Sequence, residues 1–313
     1  MEYYKVKDHI ISRLTLGTVG LGLNYGISNA NGKPTAEKSR GIFSTAYDLG
    51  INTIDTAQNY GDAEAMTGRF LNQHKDEVKP TVITKFVVSD ENLLNKDLAR
   101  KQVYQSVRSS CEILGLQKIP ICLFHKGKDQ PMYLVLETLP PILEDLKNDG
   151  LIDLAGISIY YAHEAEEFLK LPVVEVFQVP INIFDHRLIN NGMLQQMFLK
   201  NKVVFARSVF LQGLFFMSPD DLPQNLSNSR PFINALHDLA KQAGMSVNQL
   251  AFSFVNELSG ITSIVLGAVA EYQVKENVDL LKGKPMPESI KSSISKLFAS
   301  IPENIITPGL WTA

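Results

Sequence analysis

Short apolar runs recur along this chain, and longer stretches of helical period separate them. The runs are LTLG (14–17), INTID (51–55), TVITKF (81–86), PICLFH (120–125), LAGIS (154–158), EVFQV (175–179), KVVFA (202–206) and TSIVLG (262–267). They are β-branched and mostly apolar throughout rather than alternating, which is the pattern of strands covered on both faces. Between them, 35–49 places Ile42, Ala46 and Leu49 on one helical face. The stretch 100–114 does the same with Val103, Val107, Cys111 and Leu114, and 134–147 with Leu136, Leu139, Leu143 and Leu146. Ser246 and Gln249 resemble a capping box opening a helix through Glu257, and Gly50 and Gly150 fit helix stops. Eight strand–helix alternations predict an α/β fold, a single (β/α)8 TIM barrel over 1–313 with its core at about 12–281 and a helical tail over 282–313. A doubly wound open sheet would give similar alternation, so the count alone leaves both architectures open.

Two segments break the regularity. GLGLNYGISNANGK (20–33) follows the first barrel strand and LFFMSPDDLPQNLSNSRP (214–231) follows the seventh. On a barrel both lie on the carboxyl rim, where long loops build sites. Phe215, Phe216 and Met217 fit either a core under such a loop or a binding wall.

Composition narrows the class. The 313 residues are 45% hydrophobic with a formal net charge of -3, which offers no electrostatic footprint for nucleic acid or an anionic membrane. The opening MEYYKVKDHI lacks a secretory signature, and no apolar stretch approaches the roughly 18 residues needed to span a bilayer. Only Cys111 and Cys122 are present, so a disulfide framework is not expected. The expectation is a soluble cytoplasmic protein whose partner is a small molecule.

Asp55, Lys85 and His125 each stand at or next to the end of an apolar run, and Tyr60 follows Asp55 closely. Parallel strands put their carboxyl ends on one rim, so these groups converge. A phenol titrates near pH 10, and a nearby Lys85 would lower that value while Asp55 keeps the amine charged. His125 would hydrogen-bond the carbonyl oxygen that Tyr60 protonates. Singly, the four read as a helix cap, a packed aromatic, a snorkelling lysine and a core histidine; together and in this order they read as a proton-transfer site. The missing reactant is a hydride, which a nicotinamide would deliver. The remaining histidines (9, 74, 163, 186, 237) show neither HxH nor HExxH spacing, and LGTVGLG is spaced GxxGxG rather than as the dinucleotide fingerprint.

The run Asp55-Thr56-Ala57-Gln58-Asn59-Tyr60-Gly61 resembles the DTAxxYG signature of the aldo-keto reductase superfamily. Lys85 in VITKF and His125 in LFHKG complete that family's catalytic tetrad by type and order. The likeness continues through Gly17-Thr18, Ser158 in GISIY, Gln178 in VFQVP and Glu276-Asn277 in VKEN, across about 12–281. It implies a (β/α)8 barrel and reversible reduction of an aldehyde or ketone with NADP(H) or NAD(H). The cofactor contacts it implies are Gly17, Thr18, Asp55, Ser158 and Gln178, then Arg207, Ser208, Gln212 and Gly213, and finally Gly267, Gln273, Glu276 and Asn277.

Several positions depart from the family. Arg207 stands where an aromatic usually stacks on the nicotinamide, and Ile159 where an Asn commonly follows the Ser. Gly267 and Gln273 replace cations that clamp a 2′-phosphate, so a strong preference for the phosphorylated cofactor is not expected. Lys126 replaces the aromatic after the catalytic His. With Asn24, Tyr25 and nearby Lys128, Lys126 and Arg207 suggest a polar or anionic carbonyl substrate, such as a sugar or a phosphorylated aldose. Two other readings stay open: a nicotinamide-binding sensor with little turnover, and a Schiff-base lyase using Lys85.

Overall fold

A computed structural model describes residues 1–74 and 80–311. Among the described residues, eight of the ten strands are β3 (Leu14–Gly17), β4 (Thr53–Asp55), β5 (Thr81–Phe86), β6 (Ile119–His125), β7 (Ile152–Ser158), β8 (Val176–Pro180), β9 (Val203–Arg207) and β10 (Ser263–Gly267). All pair in parallel, each with the next in sequence, and β10 closes on β3. The result is a closed barrel, as the alternation predicts, and not the open sheet.

Each strand runs within two residues of the sequence pattern because its side chains are buried on both faces. Ile83, Ile121, Leu123, Leu154, Val176, Val203 and Phe205 point inward and fill the barrel, while Phe86, Phe124 and Phe177 belong to the larger cluster under the helices. The first residues form a hairpin that the pattern does not predict, β1 (Tyr3–Val6) with β2 (His9–Ser12), paired antiparallel. Its Ile11 is wholly buried in the interior cluster, so the hairpin covers the amino end of the barrel. Chemistry is left to the other end.

Cross-strand register sets that end. Gly17 pairs with Asp55 and Asp55 with Ile83; His125 pairs with Ser158, Ser158 with Gln178, and Pro180 with Arg207. Gly267 pairs with Gly17 and completes the ring.

The helices over 35–49, 100–114 and 134–147 are found as Ala36–Asp48, Lys96–Leu114 and Met132–Asn148. Gly50 and Gly150 end two of them at φ 87 and 70, a left-handed conformation that suits glycine. The capping box at Ser246 is only half formed. Ser246 accepts the Gln249 N–H, but the Gln249 carboxamide donates to Ser253 and to the Leu280 carbonyl.

The segment after residue 282 is helical over Glu288–Leu297, then buries Phe298, Ile305 and Ile306 and returns to the rim. Phe298 packs on Phe184 at 4.7 Å between ring centroids. Among the described residues, no helix is long and apolar enough to cross a membrane.

Candidate active site

A cleft of about 530 Å³ opens at the carboxyl rim, and Asp55, Tyr60 and His125 line it. Lys85 lies just beneath, 2% exposed. Its ammonium donates to Asp55 Oδ1 at 2.7 Å and to the Thr56 carbonyl at 2.9 Å. The turn after β4 curls back over it, because Thr56 N–H bonds to the Ile83 carbonyl of β5. Tyr60 thereby comes to rest with its ring centroid 4.8 Å from Lys85 Nζ and 6.2 Å from the His125 ring, edge to face. The four groups expected to converge do so.

Their electrostatics differ from the expectation on one point. Burial and the neighbouring Asp55 charge hold the Tyr60 phenol well above its usual value, and Arg207 opposes them only partly. Lys85 therefore does not pull the phenol down. Its ammonium is spent on Asp55 and Thr56, and it meets the ring face. Desolvation pushes Lys85 itself below the usual amine value, against the pull of Asp55. His125 is pushed down to about 3 by burial, Lys85 and Arg207, so its imidazole is neutral at ordinary pH. Its Nδ1 is buried without a hydrogen-bond partner.

Behind this group, Gln178 donates to the same Asp55 oxygen at 2.7 Å and accepts from Ser158 at 3.3 Å. Thr18 donates its backbone N–H and its hydroxyl to the Asp55 carbonyl, at 3.0 and 2.9 Å. Thr18 and Ser158 are thus braces of Asp55, buried and outside the cleft lining. Gly17, Gln178, Arg207, Ser208, Gln212, Gly213, Gly267 and Gln273 do line it. Glu276 and Asn277 do not; Asn277 donates to the Gly267 carbonyl at 3.3 Å.

Two of the three expected substrate residues are corrected. Lys126 is not a rim cation. It is 3% exposed and donates to Glu164 at 2.7 Å and to the Gly127 carbonyl at 3.0 Å, since an ammonium buried this deeply requires a partner. Asn24 braces its own loop instead, accepting the Lys33 N–H at 2.9 Å. Tyr25 does face the cleft. Of the other aromatic candidates, Phe215 is core and Phe216 lines the cleft.

Arg207 reaches into the cleft over the Tyr160 ring, 5.1 Å from its centroid. It donates to the Ile159 carbonyl at 2.8 Å and to Ser208 at 3.1 Å, and it meets no carboxylate among the described residues. Tyr160 in turn stacks on His125 at 6.5 Å. Sequence reasoning passes over Tyr160, although it directly follows Ile159. It also misses Arg187 and the segment 306–309, which line the far wall. Arg187 is held in place by Asp185 at 2.7 Å and pairs at 3.0 Å with Glu303, which opens the short helix leading into that segment. No local pattern marks residues so far apart.

The cleft suits a dinucleotide. After β9, Ser208, Leu211, Gln212 and Gly213 all adopt left-handed backbone, at φ 61, 47, 55 and 93. Turns of this kind form concave anion-binding surfaces from backbone N–H groups. A Cβ at Gly213 would overlap Ser28, so the turn closes there only with glycine. At the other end Gln273 accepts the Val269 N–H at 2.7 Å, and the two cations expected of a 2′-phosphate clamp are absent at Gly267 and Gln273.

A closed eight-stranded barrel with Asp, Tyr, Lys and His on its rim defines a class of protein, and the comparisons agree with it. The Aldo/keto reductase family profile matches residues 13–297, and the chain belongs to that family. It is 26% identical over 301 residues to the NADH-specific methylglyoxal reductase of Escherichia coli K12, covering 88% of this chain and 91% of that one. It is 25% identical over 308 residues to the L-glyceraldehyde 3-phosphate reductase of the same organism, covering 86% and 84%. Among solved structures it is similar to the glycerol dehydrogenase of Gluconobacter oxydans, with a TM-score of 0.73, 24% identity and 95% of each chain covered.

Proposed function

We propose that this protein reversibly reduces a short polar or anionic aldehyde or ketone to its alcohol, using NADH or NADPH. The observation that carries the reading is the placement of Tyr60, Lys85, Asp55 and His125 around one cleft. Gly17, Gln178 and the 208–213 turn would hold a nicotinamide, which would supply the hydride when bound. Tyr60 keeps its proton up to high pH and gives it to the carbonyl oxygen. Lys85, held charged by Asp55, then faces the phenolate that results. Neutral His125 donates one N–H toward the same oxygen and orients it.

Two observations bear on the substrate. Arg207 is the cleft cation left without a carboxylate, and a buried or half-buried charge of this kind favours an anionic ligand. The two enzymes of Escherichia coli act, by their names, on a short dicarbonyl and a phosphorylated aldose. With the free thiols of Cys111 and Cys122, we read the cytoplasm as its place of work.

The test is steady-state reduction of D,L-glyceraldehyde 3-phosphate, methylglyoxal and benzaldehyde by the wild type and by Arg207→Met. The expected result is an increase of about tenfold in KM for the phosphorylated aldehyde and little change for benzaldehyde, as for one lost charge-assisted bond. Equal effects on all three would remove Arg207 from substrate recognition. Borohydride trapping of an adduct on Lys85 would instead establish a lyase.

A further inference from the structure

Among the described residues, no cation pairs with the carboxylate of Glu64. It lies in the first turn of the helix Ala63–Gln73, which starts three residues after Tyr60, and it is 4% exposed. Burial of an unpaired carboxylate is costly unless hydrogen bonds satisfy it. Two hydroxyls do so. Thr84 and Ser110 both donate to Glu64 Oε1, the latter at 2.9 Å. Ser110 also accepts from the Gln58 carboxamide at 3.0 Å, and Gln58 donates again to the Ser106 carbonyl at 2.6 Å.

These partners are not scattered. Gln58 sits in the turn between Asp55 and Tyr60. Thr84 precedes Lys85 on β5, and since strand side chains alternate, it points out of the barrel while Lys85 points in. One buried cluster therefore ties down the Tyr60 turn, the Lys85 strand and the helix Lys96–Leu114. It does so from the side of the wall opposite the cleft.

We propose that Glu64 and Gln58 are positioning residues that hold Tyr60 against Lys85 and place a second carboxylate behind the Lys85 ammonium. The inference rests on the reductase reading. Lys85 is faced by Asp55 from β4, by Tyr60 from the turn, by His125 from β6 and by Arg207 from β9. Asp55 and Glu64 favour its charged form, and Arg207 disfavours it. Glu64 also faces the thiols of Cys111 and Cys122, which burial keeps protonated. A carboxylate behind the wall thus supports the ammonium without competing for the hydrogen bonds that aim it.

The test compares Glu64→Gln, Gln58→Leu and Tyr60→Phe in the full chain, by the pH dependence of kcat and by reduced-cofactor binding. Glu64→Gln keeps an acceptor for the hydroxyls and removes only the charge, so the alkaline limb of kcat moves down by about half to one pH unit. Gln58→Leu frees the turn, and kcat falls about tenfold or more while the cofactor Kd changes less than about threefold. The alkaline limb under Glu64→Gln is the readout that a purely structural role would not move. If Tyr60→Phe abolishes turnover while that limb stays put and Gln58→Leu keeps wild-type kcat, the positioning inference fails alone. If Tyr60→Phe turns over normally, the reductase reading fails and this one with it. Should Glu64→Gln not fold, the kcat of Gln58→Leu decides: a tenfold fall sustains the turn-holding role, and wild-type kcat overturns it.

Discussion

Lys85 and Lys126 lie beneath neighbouring parts of the rim, both almost wholly buried, and each donates to a carboxylate at 2.7 Å. As isolated pairs they are the same. Their surroundings divide them. The Asp55 oxygen that holds Lys85 also receives Gln178, and the ammonium faces the ring of Tyr60 at the floor of the cleft. The carboxylate that holds Lys126 instead accepts the backbone N–H groups of Tyr160 and Tyr161, at 2.9 and 3.0 Å. That second pair fixes the turn carrying Tyr160, the shelf under Arg207. One pair sits at the floor of the cleft and the other holds its wall, and the partner's remaining hydrogen bonds tell them apart.

The sharpest way to break this comparison is to remove each cation in turn. Lys85→Met is expected to lower kcat by about two to four orders of magnitude. Lys126→Met is expected to act on stability, by about 3 kcal/mol, because Glu164 is left buried and charged. Its turnover per folded molecule changes little and equally for anionic and neutral carbonyls. Denaturant unfolding alongside steady-state kinetics separates the two, and the reverse assignment of effects would dismantle the distinction.

If Arg207, which has no carboxylate partner among the described residues, recruits an anion, an unpaired cation added to the cleft must recruit too. Gln273 lines the end where a 2′-phosphate would lie. Gln273→Arg is expected to shift the ratio of Kd values toward the phosphorylated cofactor by about tenfold to a hundredfold, one charge-assisted bond. The wild type is expected to discriminate modestly. Titration of both reduced cofactors measures this, and a wild type that already prefers the phosphorylated form by about a thousandfold would show a clamp elsewhere.

The effect with the least bearing on turnover concerns His125. Its native pKa is lowered from 6.5 to about 3, by burial first and then by Lys85 and Arg207. Below 6.5 the unfolded chain takes up a proton that the native chain refuses, so this group costs stability progressively as pH falls from 6.5 to about 3 and nothing above 6.5. The slope is at most about 1.4 kcal/mol per pH unit. Lys85→Met should raise the imidazole pKa, visible in its NMR titration, whereas Lys126→Met should leave it in place. A wild-type imidazole titrating near 6.5 would contradict the burial argument.

How much of this was legible in the chain depends on how local the cause is. Continuous apolar runs follow from burial on both faces, so the eight barrel strands were readable to within two residues. Strand ends were readable too, and with them Asp55, Lys85 and His125. The hairpin β1–β2 was not, because most of its residues are exposed and, of its apolar side chains, Ile11 alone is fully buried. Lys126 misled, since its neutralising partner lies 38 residues on in the chain, at Glu164. Arg187, Tyr160 and the 306–309 segment reach the cleft only through tertiary packing. Gln58 and Glu64 stood within or beside the signature all along, but their shared link through Ser110 needed the fold.

Whether Tyr60 donates the proton is tested most directly by a single-turnover measurement with Tyr60→Phe. Reduced cofactor would be premixed with enzyme and the carbonyl substrate added in a stopped-flow instrument. With Tyr60 as donor, the substitution lowers the rate of cofactor oxidation by about two to four orders of magnitude and leaves the cofactor Kd within about threefold of wild type. A Tyr60→Phe enzyme that oxidised its bound cofactor at the wild-type rate would contradict it.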